Sequence, residues 1–229
     1  MISLSISLPC FNEEAVVEKV IEDIMTWFIR DGIDGEIIAV NDGSSDKTGG
    51  ILDELRLSTA CLKVVHHQQN MGYGAAVRSG LDAATKENIG FMDGDGQFRA
   101  EEFGKLLLHI DQYQLVIGRR LKRADPFIRQ VNAKLYSLLV DVRLDVRVCD
   151  INCAMKVWKR EIWPIIRPVK SAGALFNAEL FLRSKSAGIK WCQVPVLHYS
   201  RESGVQTGAR LSVILQMFKE LWELKKSVK

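Results

Sequence analysis

Short apolar runs alternate with amphipathic segments along the first half of the chain. Runs at residues 2–8, 36–40, 62–65 and 89–92 predict four β-strands. Helices are predicted between them, the first over residues 16–28, the second up to residue 57 and the third over residues 72–85. The apolar face of the first helix consists of Val16, Val17, Val20, Ile21, Ile24 and Phe28. This strand–helix alternation predicts an α/β fold, with a mostly parallel sheet and helices on both faces.

Polar residues at the helix starts add capping signals. Asn12 is predicted to cap the first helix, and Ser44 to Asp46 offer caps for the second. The second half is less regular, with strands predicted at residues 115–117, 154–158 and 191–197 and helices at residues 127–142, 174–187 and 211–226. Because we find no internal repeat, low-complexity tract or linker, we interpret residues 1–229 as a single domain.

Composition narrows the class of protein. The 229 residues carry a formal net charge of only +3, whereas a dedicated nucleic-acid binder is more basic, so no nucleic-acid partner is expected. No run approaches the roughly 18 apolar residues that a membrane span needs. The five cysteines are odd in number and scattered, and no basic leader opens the chain. These features predict free thiols in a reducing, cytoplasmic setting.

Three polar clusters follow predicted strands, at residues 9–14, 41–46 and 93–97. Ligands of open α/β sheets bind at the carboxyl ends of the strands, so the clusters predict one shared site. In the third, Asp93 and Asp95 flank Gly94 and can face one cation, of which magnesium and manganese prefer such hard oxygen ligands. A solvated Asp-Gly turn is the alternative. In the second cluster, Asp42 can accept hydrogen bonds from a nucleobase or ribose, while Ser44 and Asp46 are explained equally well as caps.

Two further segments could bind phosphate, but each also has a purely structural explanation. Residues 118–134 hold one acid among many cations, which could neutralise a diphosphate or an anionic acceptor but could also form a solvated face. The cations are Arg119, Arg120, Lys122, Arg123, Arg129 and Lys134. Residues 70–76 open a helix with small residues, and close packing of that helix on the sheet explains them as well as phosphate binding does.

Taken in order, these motifs resemble family-2 glycosyltransferases, which have the GT-A fold. The matching pieces span nearly the whole chain and are most similar to polyprenyl-phosphate sugar synthases within that family. They are residues 8–14 (LPCFNEE), 40–46 (VNDGSSD), 70–72 (NMG), 93–97 (DGDGQ), 118–120 (GRR), 150–156 (DINCAMK), Glu179, 194–196 (VPV) and 198–204 (HYSRESG).

The resemblance implies roles for individual residues. Residues that bind the nucleotide are Pro9, Asn12, Glu14, Asp42, Asp93 and Gly94. Residues that bind Mg²⁺ or Mn²⁺ with the sugar diphosphate are Asp93, Asp95 and Gln97. Residues that bind the acceptor phosphate are Arg119, Arg129 and Arg201, and those expected to act in catalysis are Asp95, Arg119, Arg201 and Glu179. Residues 1–97 would then be a nucleotide-binding half and residues 98–229 an acceptor-binding half. The family often has Ser and Arg where Ala133 and Lys134 stand, which weakens the phosphate contact expected there.

The implied activity is transfer of a sugar, with inversion, from a nucleotide-sugar donor to a lipid phosphate. Relatives that act on hydroxyls present a Glu-Asp pair where this chain has Ala178-Glu179. A phosphate acceptor is already ionised and needs no base. Glu179 is either a fallback base or a buried structural acid paired with an arginine. The alternatives are a soluble or saccharide hydroxyl acceptor, and a non-catalytic nucleotide-sugar binder. A sugar-nucleotide pyrophosphorylase would need a glycine-rich loop after the first strand, where Pro9 to Asn12 stand instead.

The predicted terminal helix, at residues 211–226, carries apolar and basic residues. It could lie on an anionic membrane, which would make the protein peripheral at the inner membrane face. Packing on the domain, or in a homodimer interface, is the alternative.

Overall fold

The computed structural model describes residues 1–121, 127–169, 171, 173, 175–201 and 224, with only the backbone for residues 127–133. In this part of the chain one sheet holds seven strands. The strands are β1 Ser3–Cys10, β2 Asp34–Asn41, β3 Leu62–His66, β4 Asn88–Phe91, β5 Leu115–Arg120, β6 Lys156–Lys159 and β7 Trp191–Val196. The helices are α1 Val17–Asp31, α2 Thr48–Ser58, α3 Tyr73–Asp82, α4 Glu102–Leu107, α5 Phe127–Leu144, α6 Trp163–Ile166 and α7 Phe176–Ser186, with a 3₁₀ turn at Arg160–Ile162.

The strand order is β3-β2-β1-β4-β6-β5-β7. β1 pairs in parallel with β2 and β4, β2 with β3, and β5 with β7, whereas β6 runs antiparallel to both of its neighbours. The predicted mostly parallel sheet is confirmed. Because β6 inserts beside β4, one sheet contains strands from both proposed halves, and the division at residue 97 stays a prediction.

Helices cover both faces of the sheet, as expected. Successive residues of a strand point to opposite faces. On β4, a Cβ added at Gly90 would lie 3.1 Å from the ring of Phe103 in α4, while the ring of Phe91 meets Phe176 of α7 at 5.9 Å between centroids. The two neighbours on β4 therefore face helices on opposite sides.

Small polar residues on β1 let a helix approach closely. Leu4, Ile6 and Leu8 are fully buried, and the serines between them are buried as well. Ser7 donates to the carbonyl of Val77 in α3 at 3.3 Å, and a Cβ added at Gly80 would lie 2.1 Å from the Ser7 hydroxyl. The close-packing explanation for the small residues of α3 therefore applies, and the packing fixes α3 against the strand ends.

The first helix has the predicted apolar face but not the predicted cap. Val17, Val20, Ile21, Ile24 and Phe28 are buried, and Gly32 ends the helix in the left-handed region with φ of 63°. The Asn12 cap was wrong, because α1 begins at Val17 after Val16, without a side-chain cap. Asn12 itself has φ of 58°, in a turn that leads away from β1.

Other expectations have mixed outcomes. Asp46 accepts the amide and hydroxyl hydrogens of Thr48 at the start of α2, at 3.0 and 2.6 Å, so it supports that helix.

The short helices α4 and α6 were not predicted. The predicted terminal helix lies outside the described residues, except that Leu224 is helical and buried. In the described part of the chain, no helix combines the length and apolar character needed to cross a bilayer.

Candidate active site

The three predicted clusters meet at one edge of the sheet. β1 lies between β2 and β4, and all three strands run in the same direction. Backbone hydrogen bonds continue past the strand ends, from Asp42 to Cys10 at 2.9 Å and from Met92 to Ser7 at 3.2 Å. A Cβ added at Gly94 would lie 3.0 Å from both the Cys10 sulfur and the Pro9 carbonyl, so the turn after β4 packs directly on the end of β1.

The turn after β4 holds two enclosed carboxylates. Tyr73 bonds to the Asp93 carboxylate, while Asp93 Oδ1 is buried and has no hydrogen-bond partner within the described residues. Asp95 is 9% exposed, and its Oδ1 accepts the amide of Gln97 at 3.1 Å. Burial, followed by the charge of Asp95, raises the pKa of Asp93 above its usual range. Two acids held together in this way favour the arrival of a cation.

Glu13 is a third acid of this cluster, and sequence reasoning missed it. It is buried, and its Oε2 has no hydrogen-bond partner within the described residues. Burial raises the pKa of Glu13 to about 7, Arg201 opposes that rise, and Asp95 and Asp93 add to it. The neighbouring Glu14, to which the resemblance assigns nucleotide binding, is exposed and accepts the amide of Lys47 at 2.9 Å. Its nucleoside role stays a prediction.

Arg201 reaches this acidic cluster from beyond β7. Its guanidinium contacts Glu13, and Nη1 lies 3.7 Å from Asp95 Oδ2. The preceding segment is fastened to the acidic turn, because Tyr199 donates its amide to the Gln97 carbonyl at 2.9 Å and accepts the Gln97 side-chain amide at 3.1 Å. Gln97 therefore positions the segment that carries Arg201. A direct role for Gln97 in metal binding stays a prediction.

The other predicted cations are arranged differently. Arg120 forms a paired contact with Asp150, at 2.7 Å from Nε and 2.7 Å from Nη2, so it is a structural ion pair. Arg119, the residue before it, is exposed, and no described contact joins it to the acidic turn. The side chain of Arg129, and that of Ala133, lie outside the described residues. The acceptor-phosphate roles of Arg119 and Arg129 stay predictions.

Asp42 follows β2 at the same edge of the sheet, and its nucleoside role stays a prediction. It is 2% exposed, and its carboxylate accepts the amides of Met71 at 2.8 Å and Gly72 at 3.0 Å. The ring nitrogen Nδ1 of His67 lies 2.7 Å from Asp42 Oδ1. The first two clusters also interlock, since Asn12 accepts the amide of Ser45 at 2.8 Å. Asn12, Asp42 and Pro9 are thus brought together at the ends of β1 and β2.

Glu179 does not suit the role of a base. It is fully buried, and its carboxylate accepts the amides of Val169 at 2.9 Å and Ser171 at 2.8 Å as well as Arg183 Nε at 2.8 Å. Burial alone would raise the pKa of Glu179, but these donors outweigh it and leave the pKa below the usual value. A useful base at neutral pH needs a higher pKa and access to substrate. The geometry favours the structural alternative, an acid paired with a nearby arginine.

A buried lysine, Lys156, was also missed. It is fully buried on β6, where its ammonium bonds to the carbonyls of Ile151 and Cys153 and, at 2.9 Å, to Asn177 Oδ1. Burial lowers the pKa of Lys156 to about 8, against the attraction of Cys153, Asp150 and Asp93. It therefore holds the loop whose Asp150 binds Arg120. A lysine inside an apolar run carries no sequence signal for this role beyond its place in residues 150–156.

The acidic turn can offer two carboxylates to a divalent ion, with the remaining ligands coming from elsewhere. No group of three or more His, Cys, Asp or Glu side chains in the described part of the chain is arranged to hold a metal ion. Mg²⁺ and related ions often take one or two carboxylates and complete their coordination with water and substrate phosphates. The buried Asp93 Oδ1, which has no partner in the described residues, together with Asp95, matches that donor set.

Solved structures share this fold. A crystal structure of glucosyl-3-phosphoglycerate synthase from Mycobacterium tuberculosis, with Mn²⁺, UDP and glucosyl-3-phosphoglycerate, has a TM-score of 0.69 at 20% identity and covers 99% of this chain and 79% of that one. Another structure of that enzyme, with Mg²⁺ and UDP, has a TM-score of 0.66 at 19% identity and covers 96% of this chain and 79% of its own. The expected GT-A type of α/β fold is confirmed.

Alignments with curated relatives cover most of this chain but a smaller share of each relative's own length. Polyprenol monophosphomannose synthase of Mycolicibacterium smegmatis is 31% identical over 80% of this chain and 74% of its own. Dodecaprenyl-phosphate galacturonate synthase of Rhizobium johnstonii is 28% identical over 89% of this chain and 61% of its own length. The undecaprenyl-phosphate 4-deoxy-4-formamido-L-arabinose transferase of Pectobacterium atrosepticum is 25% identical over 94% of this chain and 65% of its own.

A family model covers the strands and turns that build the site. Residues 5–163 match the model for glycosyl transferase family 2. That range includes most of β1, all of β2 to β6 and all three polar clusters at the strand ends. The chain therefore belongs to glycosyl transferase family 2.

Proposed function

We propose that this chain is an inverting glycosyltransferase that moves a sugar from a nucleotide diphosphate sugar to a polyprenyl phosphate. The observation that carries the proposal is the meeting of Asp93, Asp95 and Glu13 with Arg201 at the carboxyl ends of β1 and β4. Carboxylates that can take a metal, beside a cation that can take a phosphate, suit a diphosphate leaving group. The names of the three curated relatives support a polyprenyl-phosphate acceptor.

The donor nucleoside would lie over the ends of β1 and β2. Pro9, Asn12 and Glu14 border this region, and Asp42 offers the buried carboxylate for the base or ribose. The diphosphate would extend from there to Gly94, whose lack of a side chain leaves the turn close to β1. This direction along the sheet edge would bring the sugar near Asp95 and Arg201.

Asp93 and Asp95 would hold the divalent ion, Mg²⁺ or Mn²⁺, together with the diphosphate. Such an ion neutralises the charge that builds up as the nucleoside diphosphate departs. Gln97 would act from the turn itself, either on the ion or by holding the segment that carries Arg201. The chemistry of these residues and the Mn²⁺ and Mg²⁺ in the solved structures support metal dependence.

In the reaction, an oxygen of the acceptor phosphate attacks the anomeric carbon from the side opposite the diphosphate. The bond between that carbon and the diphosphate oxygen breaks, and the departing nucleoside diphosphate keeps the electron pair. Attack from the opposite side inverts the configuration. Arg201 is placed to neutralise phosphate charge beside Asp95, while Arg119, which is exposed, and Arg129 are proposed to hold the acceptor.

The environment of Glu179 also favours a phosphate acceptor over a hydroxyl. A hydroxyl must lose its proton to a base in the transition state. Glu179 is buried, its two oxygens accept backbone and arginine hydrogens, and its pKa is below the usual value. An ionised phosphate needs no such base. The hydroxyl acceptor and the non-catalytic binder are therefore secondary proposals.

Contact with a membrane surface is proposed for α5. Leu135, Leu138 and Val142 are 59%, 59% and 75% exposed and recur at helical spacing, and Lys134 beside them is exposed. An apolar stripe with basic residues suits the boundary of an anionic bilayer. The same stripe could instead meet a second copy in a homodimer. A place at the inner membrane face in the cytoplasm is part of this proposal.

The test is transfer of radiolabelled sugar into an organic-extractable lipid. Purified protein would be incubated with Mn²⁺, a polyprenyl phosphate in detergent and a panel of labelled UDP- and GDP-sugars. We expect label in the organic phase, its loss in Arg201→Ala, and retention of much of it in Glu179→Gln. Transfer only to a soluble hydroxyl acceptor, abolished by Glu179→Gln, would contradict the proposal.

A further inference from the structure

His67 joins three elements at the nucleotide side of the site. Its side chain is 8% exposed and lies just beyond the end of β3. One ring nitrogen, Nδ1, lies 2.7 Å from Asp42 Oδ1, and the other, Nε2, lies 2.9 Å from the hydroxyl of Ser79 in α3. The ring thus connects the loop after β2 to a helix that is packed tightly on β1 and β2.

The hydrogen-bond pattern sets which ring nitrogen carries the proton. Ionised Asp42 can only accept, so Nδ1 must donate. In the neutral ring Nε2 then accepts from the Ser79 hydroxyl, which can rotate to donate. A hydrogen bond on the second nitrogen fixes the tautomer and the ring plane. His67 therefore has one orientation, with a donor aimed at Asp42.

The bonds around Asp42 leave one acceptor position. A carboxylate has about four lone-pair sites. Oδ1 receives His67 and the amide of Met71, and Oδ2 receives the amide of Gly72 at 3.0 Å. One site on Oδ2 is left for a ligand hydrogen. Because every other position is filled, the carboxylate has little freedom to turn that site away.

Close packing keeps the surrounding loop in place. Gly43 has φ of 67°, and a Cβ there would lie 2.4 Å from the Gln69 carbonyl carbon and 2.5 Å from the Asn70 nitrogen. The loop that supplies the Met71 and Gly72 amides therefore rests directly on the backbone after Asp42. His67 also donates its own amide to the Asn41 carbonyl at 2.9 Å.

We infer that His67 is a positioning residue for the donor nucleoside, acting through Asp42. Held by His67 and Ser79, the acceptor site on Asp42 Oδ2 selects nucleobases that present a ring N–H donor. Uracil and guanine have such a donor on the Watson–Crick edge, whereas the corresponding ring nitrogen of cytosine is an acceptor and would meet the carboxylate unfavourably. This inference rests on the proposed function, because it assigns specificity to the same donor site.

The preceding residue offers a matched control. His66 Nδ1 lies 3.1 Å from the Asn41 side-chain amide, and its Nε2 lies 3.3 Å from Asp53. His66 is the same residue type in the adjacent position and is also bonded to a residue of the strand end, but its side chain is 39% exposed and does not reach Asp42. Loss of general support for the strand end would affect both variants, while loss of Asp42 positioning would affect only His67.

The experiment is calorimetry of UDP, GDP and CDP with Mn²⁺ on four proteins, with thermal unfolding of each. They are the unmodified chain, His67→Leu, His67→Asn and His66→Leu. The unmodified chain is expected to bind UDP or GDP more tightly than CDP. His67→Leu should weaken the favoured nucleotide by about tenfold or more, the range for a lost hydrogen bond to a charged group, and reduce the preference over CDP. His67→Asn, which keeps a donor near the Nδ1 position, should recover part of both, and His66→Leu should change neither.

The outcomes separate the two proposals. If His67→Leu unfolds cooperatively and keeps the affinity and the preference of the unmodified chain, the positioning role is overturned and the proposed function stands. An equal loss in His66→Leu would likewise overturn it, because the effect would then be general. If the unmodified chain binds none of the three nucleotides with Mn²⁺, the proposed function fails, and the inference fails with it.

Discussion

Substitution of Glu179 separates a structural acid from a catalytic base. In Glu179→Gln the side chain keeps its size but loses its charge, and one acceptor oxygen becomes a donor. That donor would face the amide of Val169 or Ser171, or Arg183. Breaking a buried pair by removing one partner costs about 3–5 kcal/mol, and the partial exposure of Arg183, 22%, reduces this to about 2–4 kcal/mol. For a domain of this size that lowers Tm by roughly 4–16 °C.

The assay combines thermal unfolding with transfer measured per folded molecule at a temperature below both transitions. We expect Glu179→Gln to unfold earlier and to retain most of its transfer to polyprenyl phosphate. Asp82→Asn is the control, because Asp82, like Glu179, is an acid paired with an arginine. It accepts from Arg167 Nε at 2.7 Å and from Trp163 Nε1 at 2.8 Å. It should lose stability and keep transfer. A Glu179→Gln protein with unchanged Tm and no transfer would refute the structural assignment.

Three other predictions use the same protein. Arg201→Ala should reduce transfer about 100-fold or more, the scale for a lost charge-stabilising group, with a smaller change in nucleotide affinity by calorimetry. Asp42→Ala should weaken nucleotide binding by about 1.5–3 kcal/mol, and a Kd within about twofold of the original would count against it. Lys156 has its pKa lowered to about 8 in the folded chain, so between about pH 8 and 10.4 the unfolded chain holds more protons and stability rises with pH. Relative to Lys156→Met, denaturant unfolding should show a gain of up to about 3 kcal/mol across that window, and no gain would contradict the buried position of the ammonium.

The sequence allowed the site to be located because its signals are local. Each polar cluster directly follows a run that forms a buried strand, and parallel strands bring such ends to one edge. The helical spacing from Val17 to Phe28 predicted α1, which is confirmed. The short helices α4 and α6 escaped prediction, since six and four residues are too few to show a helical period.

Individual side-chain directions could not be predicted in the same way. Whether Glu13 or Glu14 turns inward depends on the backbone at Asn12, whose positive φ no neighbouring residue signals. The pairing of Arg201 with Glu13 joins residues from opposite ends of the chain. His67 gains its partners only once α3 packs on the sheet and places Ser79 beside it. These contacts are products of tertiary packing.

The acidic turn after β4 is proposed to bind a metal ion together with a nucleoside diphosphate. Calorimetry of UDP and GDP, with Mn²⁺ and with EDTA, tests it on the unmodified chain and on Asp95→Asn. Asp111→Asn serves as the control, because that acid is 89% exposed on the surface. We predict metal-dependent binding to the unmodified chain and to Asp111→Asn, and its loss in a folded Asp95→Asn protein. Equal metal-dependent affinity in Asp95→Asn would contradict metal binding by this turn.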